Sequence, residues 1–216
     1  MKASKASPET LQREWSAQLA DGLAQMQLAL SAAQQQQLVD YLQLLNKWNS
    51  VYNLTAVRDP AEMVSRQLLD SLSILPWMRG PRILDVGCGG GLPGIPLAIA
   101  MPQAAFMLID SNGKKTRFVQ QAAIQLKLEN LQVTQARVEQ FKDANGFDTI
   151  TSRAFADLHL MIELTSHLRA PGGQWAAMKS GLDELAPGEL PAGCAHQVVD
   201  LTVPGEQAAR RLVIVR

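Results

Sequence analysis

Cysteine is nearly absent from this chain: among 216 residues only Cys88 and Cys194 carry thiols. Two thiols, one inside a glycine-rich turn, offer neither a disulfide framework nor a metal-ligand spacing. No metal site is expected, and a reducing, cytoplasmic setting fits best. A charge excess of either sign is also missing, because 20 Lys and Arg balance 20 Asp and Glu. Net charge therefore gives no general affinity for nucleic acid or membranes, although a local basic patch is still allowed. No run of ~18 apolar residues exists, so no membrane span is expected. The first residues, including Lys2, Ser4, Lys5 and Ser7, hold no apolar stretch, and no signal peptide is visible. Histidine is scarce, and His159, His167 and His196 have no partners in sequence; they read as surface or satisfied residues. What is present, 47% hydrophobic and 19% charged, is an ordinary globular composition. It suffices for one substantial core, or for one domain with an appendage.

The N-terminal part is helical by pattern. Residues 1–6 read as a loose tail. Ser7-Pro8-Glu9 combines a capping side chain, proline at the first helical position and an early acid. Trp15, Leu19 and Leu23 follow at helical spacing, with Gly22 a point where this helix ends or is interrupted. Ser31-Ala32-Ala33-Gln34 has capping-box form. Leu38, Tyr41, Leu42, Leu45 and Trp48 make one stripe of the next helix, on which Gln34 to Gln37 form a polar surface turn. Residues 49–59 are irregular and rich in side chains that bond to backbone. Asp59-Pro60 restarts a helix carrying Met63, Val64, Leu68, Leu72 and Leu75, which Pro76 and Arg79-Gly80-Pro81 end. Trp15, Trp48, Trp77 and Trp175 read as core residues.

The centre of the chain is residues 82–96, from Arg82-Ile83-Leu84-Asp85-Val86 into a run containing Gly87, Gly89, Gly90, Gly91 and Gly94. It reads as a strand covered on both faces, a sharp turn and a helix start. Glycines there let a ligand touch the backbone. Alternation follows: strands at 105–110, 131–136, 147–152 and 174–179, with helices at 114–128 and 157–168. Two closing strands, 196–203 and 211–215, have no helix between them. This predicts an α/β fold, a mostly parallel seven-stranded sheet with an antiparallel edge hairpin, plus N-terminal helices. Residues 1–60 read as an N-terminal helical extension and 61–216 as the catalytic domain.

A glycine turn with an acid ~20 residues on also suits a dinucleotide dehydrogenase. Asp110, ending the second strand, is placed to accept both hydroxyls of an adenosine ribose in either case. Asp85 separates the two readings. A carboxylate before the glycines suits a cationic ligand such as the ammonium of S-adenosylmethionine better than an anionic pyrophosphate. The edge hairpin favours the same cofactor. A nicotinamide-dependent oxidoreductase and a non-catalytic RNA-binding or assembly factor on the same scaffold stay open.

Several strings resemble one bacterial family, RsmG, also called glucose-inhibited division protein B. They are Asn46-Lys47-Trp48-Asn49, Tyr52 to Pro60, Leu69-Asp70-Ser71-Leu72, Leu84-Asp85-Val86-Gly87, Gly91 to Leu97, Asp110-Ser111, Gly113-Lys114-Lys115, Arg137-Val138-Glu139 and Ser152-Arg153-Ala154-Phe155-Ala156. The resemblance implies a class I (Rossmann-like) S-adenosylmethionine-dependent methyltransferase that methylates N7 of one guanine in a loop of 16S ribosomal RNA. It implies that Gly87, Leu92, Val138, Glu139 and Arg153 contact the cofactor or border its pocket. Asp85 and Asp110 then hold the usual acidic positions, with Gly89 and Gly91 in the same turn. The chain departs from the family at Gln67, where His is usual, and at Cys88 and Gly90. A titrating or stacking histidine would not be replaced by Gln67; one that only hydrogen-bonds would be.

N7 of guanine carries no proton, so transfer to it needs positioning rather than a general base. Arg153, just past a strand end, is the expected catalytic residue, ordering the active-site loop or bonding guanine O6. Phe155 is the candidate for stacking on an extruded base. Lys114, Lys115 and Arg117 cluster after Asp110 and are expected to grip RNA phosphates. With zero net charge a weak grip on naked RNA is expected, so a small subunit or assembly intermediate would supply part of the platform. A monomer is expected.

Overall fold

The computed structural model of the chain describes residues 7–153, 157–181 and 194–216. The expected tail at 1–6 and the candidate Phe155 lie outside these residues. The strands are β1 (Arg82–Val86), β2 (Ala105–Asp110), β3 (Leu131–Gln135), β4 (Phe147–Ser152), β5 (Arg169–Ser180), β6 (His196–Leu201) and β7 (Arg210–Val215). They form a seven-stranded sheet in the order β3-β2-β1-β4-β5-β7-β6. The pairs among β1 to β5 are parallel, while β7 runs antiparallel to both β5 and β6. The closing hairpin therefore inserts its second strand next to the sheet.

Strand order reverses between β1 and β4, so the crevice outside their carboxyl ends is the ligand position of such a sheet. Asp85 pairs in register with Leu108 of β2 and Thr151 of β4. Ile83 and Leu84, neighbours on β1, are both fully buried, on opposite faces and in separate apolar clusters. That is why β1 carries no polar-apolar alternation. The strand expected at 174–179 starts earlier, at Arg169, and Pro171-Gly172-Gly173 sit inside β5 as an irregularity. Arg169 pairs with Phe147, pairing resumes at Gln174 opposite Thr149, and Gly172 has φ +75°.

Helix α1 (Pro8–Gln25) starts at Ser7, whose hydroxyl accepts from the Thr10 N–H, and α2 (Ala32–Tyr52) starts with the Ser31–Gln34 capping box. Gly22 does not end α1. It lies within the helix, where a Cβ would come 2.3 Å from Leu69 Cδ1; glycine there allows close approach of two elements. The glutamine run is more than a polar turn. Gln34 Nε2 donates to the Ile99 and Ala100 carbonyls, and Gln37 Nε2 to that of Leu126. These bonds tie α2 to the carbonyl ends of the helices Gly94–Ala100 and Gly113–Gln125. α2 also runs on to Tyr52, past the point where irregular chain was expected. Residues of α1, α2, the helix Gly113–Gln125 and the sheet share one buried cluster, including Trp15, Tyr41, Phe118, Ile83 and Leu108.

The largest departure is at 60–77. One α-helix was expected. The chain instead forms a 3-10 turn at Pro60–Glu62, a π-helical segment at Val64–Leu69, a short α turn at Asp70–Leu72 and a second 3-10 turn at Leu75–Trp77. The Asp70 N–H bonds the Ser65 carbonyl, one residue wider than an α-helical bond. Such π segments are frequent at functional sites. Val64, Ser65, Gln67, Leu68, Leu69, Asp70, Ser71 and Leu72 are all buried. Nearly all-round burial leaves no exposed face from which a period of 3.6 could be told from a wider one.

Candidate active site

One half of the crevice is built on the end of β1. Asp85 is fully buried. Its Oδ2 accepts from the Gly94 N–H at 2.9 Å, and Oδ1 has no hydrogen-bond partner in the protein. Burial pushes its pKa from 3.8 to about 7; the Gly94 bond and the Arg153 charge oppose the rise, and Asp110 reinforces it. A Cβ on Gly94 would lie 2.7 Å from Asp85 Oδ2 and from Leu108 Cγ, so only glycine allows this contact.

The glycine turn is pinned from two sides. Gly87 and Cys88 donate to the Ile109 carbonyl, at 2.8 and 3.1 Å. On the α2 side, the Tyr41 hydroxyl donates to the Gly90 carbonyl at 2.7 Å. Burial pushes the Tyr41 hydroxyl and Cys88 thiol well up, which keeps both protonated. Asp110 closes the turn: Oδ2 accepts from Gly89 N–H at 2.9 Å and Oδ1 from Asn112 N–H at 2.8 Å. A carboxylate oxygen has two lone pairs, so each retains acceptor capacity. Above Gly89 (φ +57°) a Cβ would meet nothing closer than the Gly87 carbonyl at 3.9 Å. At Gly91 (φ +89°) it would strike Ile95 Cδ1 at 2.5 Å. The first glycine leaves open space, and the second serves the turn itself.

Leu92 and Val138 are buried, and Val138 shares an apolar cluster with Val86 and Ile109. Glu139 is different: its side chain is half exposed, 4.0 Å from Arg137. Lys114 and Arg117 are exposed on the helix Gly113–Gln125, which Asn112 caps. Lys115 is partly buried, and its charge is felt at Cys88 beside the turn. Among the described residues no cluster of His, Cys, Asp and Glu could hold a metal ion.

Across the crevice, Arg153 leaves the end of β4 and is held by the π segment. Nη2 donates to Gln67 Oε1 at 2.8 Å, while Nη1 donates to the Arg66 carbonyl at 3.1 Å and Asp70 Oδ2 at 3.3 Å. Gln67, buried, also donates from Nε2 to Thr55 Oγ1 at 2.7 Å. Both ends of its amide are therefore engaged in hydrogen bonding. Asp70 Oδ1 accepts from Arg210 Nε at 3.0 Å, and Arg210 pairs with Glu206 at 2.9 Å. Asp70 is thus one buried carboxylate between two guanidiniums. Tyr41, Asp70 and Arg210 were not singled out by sequence as site residues. The available signals were an acid inside the apolar run 68–75 and an Arg pair opening a buried strand.

Known proteins match most of the chain. The family model rRNA small subunit methyltransferase G (GidB) matches residues 34–214. A ribosomal RNA small subunit methyltransferase G of Marinobacter nauticus is 52% identical, covering 94% of this chain and 95% of the relative. One of Laribacter hongkongensis is also 52% identical, covering 91% and 95%. Among solved structures, a putative O-methyltransferase from Klebsiella pneumoniae is similar in fold. Its TM-score is 0.59 at 12% identity, over 95% of this chain and 99% of that one. A SAM-dependent methyltransferase from Aquifex aeolicus reaches 0.57 at 18% identity, over 76% and 96%. Family model and sequence identity together place this chain in the rRNA small subunit methyltransferase G family.

Proposed function

We propose that this chain transfers a methyl group from S-adenosylmethionine to N7 of one guanine in a loop of 16S ribosomal RNA. Family membership supplies the methyltransferase activity. The target atom follows from the family resemblance; what supports a donor side and an acceptor side in one site is that Asp85 and Arg153 lie at the ends of adjacent strands β1 and β4, with the Arg153 charge acting on Asp85.

The residues suit the cofactor. Asp85 Oδ1, buried and unpartnered, is an acceptor for the ammonium, and the remaining lone pairs of Asp110 suit two ribose hydroxyls. Gly87, Gly89, Gly91, Leu92 and Val138 would line the pocket, with Glu139 at its rim. When bound, the cofactor supplies an electrophilic methyl group. The protein's task is to hold N7 in line with it at ~3 Å. N7 has no proton to lose. Consistent with this, Cys88 and Tyr41 are held protonated and offer neither nucleophile nor base. Arg153 is a quarter exposed, and in this reading its exposed part donates to guanine O6. Lys114, Lys115 and Arg117 would pair with RNA phosphates, and Phe155 would stack on the extruded base.

In this reading residues 1–60 are a helical extension of a 61–216 methyltransferase domain. A cytoplasmic monomer acts on the small subunit or an assembly intermediate. Two measurements test it. S-adenosylhomocysteine should raise the melting temperature and NAD should not. Mass mapping of 16S RNA made with and without the protein should show one N7-methylguanine that depends on it. Identical maps would remove the activity, and a shift with NAD alone would restore the oxidoreductase reading.

A further inference from the structure

Beside the crevice, the end of α2 and the helix Gly113–Gln125 enclose a surface groove of about 330 Å³. Its base is aromatic. Trp48 and Tyr52 stack with ring centroids 5.3 Å apart and planes 23° apart, and Trp48 rests on buried Phe118 at 5.8 Å. Trp48 is thus locked by the core while Tyr52, 39% exposed, lies outside it. Lys114, Arg117 and Ile124 also line the groove. No carboxylate lines it, and neither cation pairs with an acid among the described residues. Tyr52 and Ile124 are two of the five exposed large hydrophobics of the described residues.

A rigid aromatic face beside two unpaired cations has the chemistry of an unpaired nucleotide: the base stacks and the phosphate is neutralised. An acidic peptide would use the cations but not the ring face. We propose that this groove binds one single-stranded nucleotide of the RNA, outside the reacting crevice, with its base on Tyr52 and its phosphate between Lys114 and Arg117. Connectivity puts it on the correct edge of the sheet. Lys114 follows Asp110 through the Asn112 cap, and Tyr52 leads to Leu54, which backs Gly90, and to Thr55, which holds Gln67. The inference rests on the RNA substrate proposed above.

The test is anisotropy of a labelled single-stranded hexaribonucleotide, and of a duplex of the same length, with the full chain. Base-aromatic stacking predicts that Tyr52→Ala weakens single-strand binding by ~10-fold or more, while Tyr52→Phe stays within about twofold. Lys114→Ala with Arg117→Ala should lower the slope of log affinity against log salt by ~0.7, the value for one phosphate on a single strand. The duplex should bind less tightly than the single strand. Unchanged binding by Tyr52→Ala overturns the proposal. So does a duplex that binds as tightly as the single strand, which would leave the base with no part in the contact. The melting shift with S-adenosylhomocysteine is scored separately, so a failed groove and a failed methyltransferase reading are told apart.

Discussion

Gln67 Oε1 accepts a 2.8 Å hydrogen bond from Arg153, joining the π segment to the end of β4. Because Gln67 also donates to Thr55, it works as a bridge between two partners. A neutral imidazole offers one acceptor and one donor as well. Gln67→His should therefore keep methyl transfer within about threefold of the parent. Gln67→Leu removes both bonds and leaves Arg153 held only by Asp70 and a carbonyl, and kcat should fall by ~10-fold or more. Arg153→Ala should abolish turnover in a protein that still folds. A pH profile that moves in Gln67→His, with a new inflection near neutrality, would show that the histidine titrates in mechanism and that bridging is not its whole role.

Asp70 sits 5% exposed between Arg153 and Arg210. Removing it leaves Arg153 without its carboxylate and Arg210 with Glu206 alone. Breaking a buried pair costs ~3–5 kcal/mol, and the partial exposure of both arginines lowers this to about 2–3 kcal/mol for Asp70→Ala in urea unfolding. Arg210→Ala should cost less, about 1 kcal/mol, since Asp70 keeps Arg153. If both variants unfold at the parent midpoint, the network contributes nothing to stability and serves geometry alone.

The parts of the molecule that were legible in sequence are those where pattern and local chemistry agree. β2 has the predicted bounds because its apolar run ends at Ser111-Asn112-Gly113, and β4 starts where predicted because Asn145-Gly146 marks a turn before Phe147. That Asp85 and Asp110 stand at strand ends beside the glycine turn was legible because an acid closes or nearly closes an apolar run there. The π segment was hidden by its own burial, and Gly22 read as a break because the neighbour it accommodates, Leu69, is remote in sequence. Asp70 and Arg210 lie 140 residues apart. No local pattern joins them, and only the placement of β7 beside β5 brings them together. Tyr41 belonged to a helical stripe whose other members pack by shape, and its hydroxyl bond to Gly90 has no periodic signature.

Gly22→Ala tests the approach of α1 to the segment that holds Arg153. Its new methyl would overlap Leu69 Cδ1 and Cδ2, and Leu69 is 1% exposed with little room to move. Overpacking of this kind costs ~1–3 kcal/mol. Leu69→Ala alone should also destabilise, by leaving a cavity. The double variant should recover part of the loss, giving a coupling of about 1 kcal/mol or more in a double-mutant cycle. Additive losses would mean that α1 shifts as a body and that the glycine is dispensable.

Asp85 gives the pH dependence. Its pKa is raised from 3.8 to about 7, so between these values the native state holds a proton that the unfolded chain has lost. Stability therefore falls as pH rises through this window and stays lowered above it. Asp85→Asn removes the effect. Without ligand, the variant should melt about 2–8 °C above the parent at pH 8, and the gap should shrink at pH 5. The cofactor response should run the other way. A cationic ammonium needs the ionised carboxylate, so the parent should bind S-adenosylmethionine more tightly from pH 6 to pH 8, by up to ~10-fold per unit below the pKa. Asp85→Asn should bind weakly with a flat profile. Calorimetric titration of both proteins across that range measures the slope, and an equal slope in the variant would mean that Asp85 is not the group facing the ammonium.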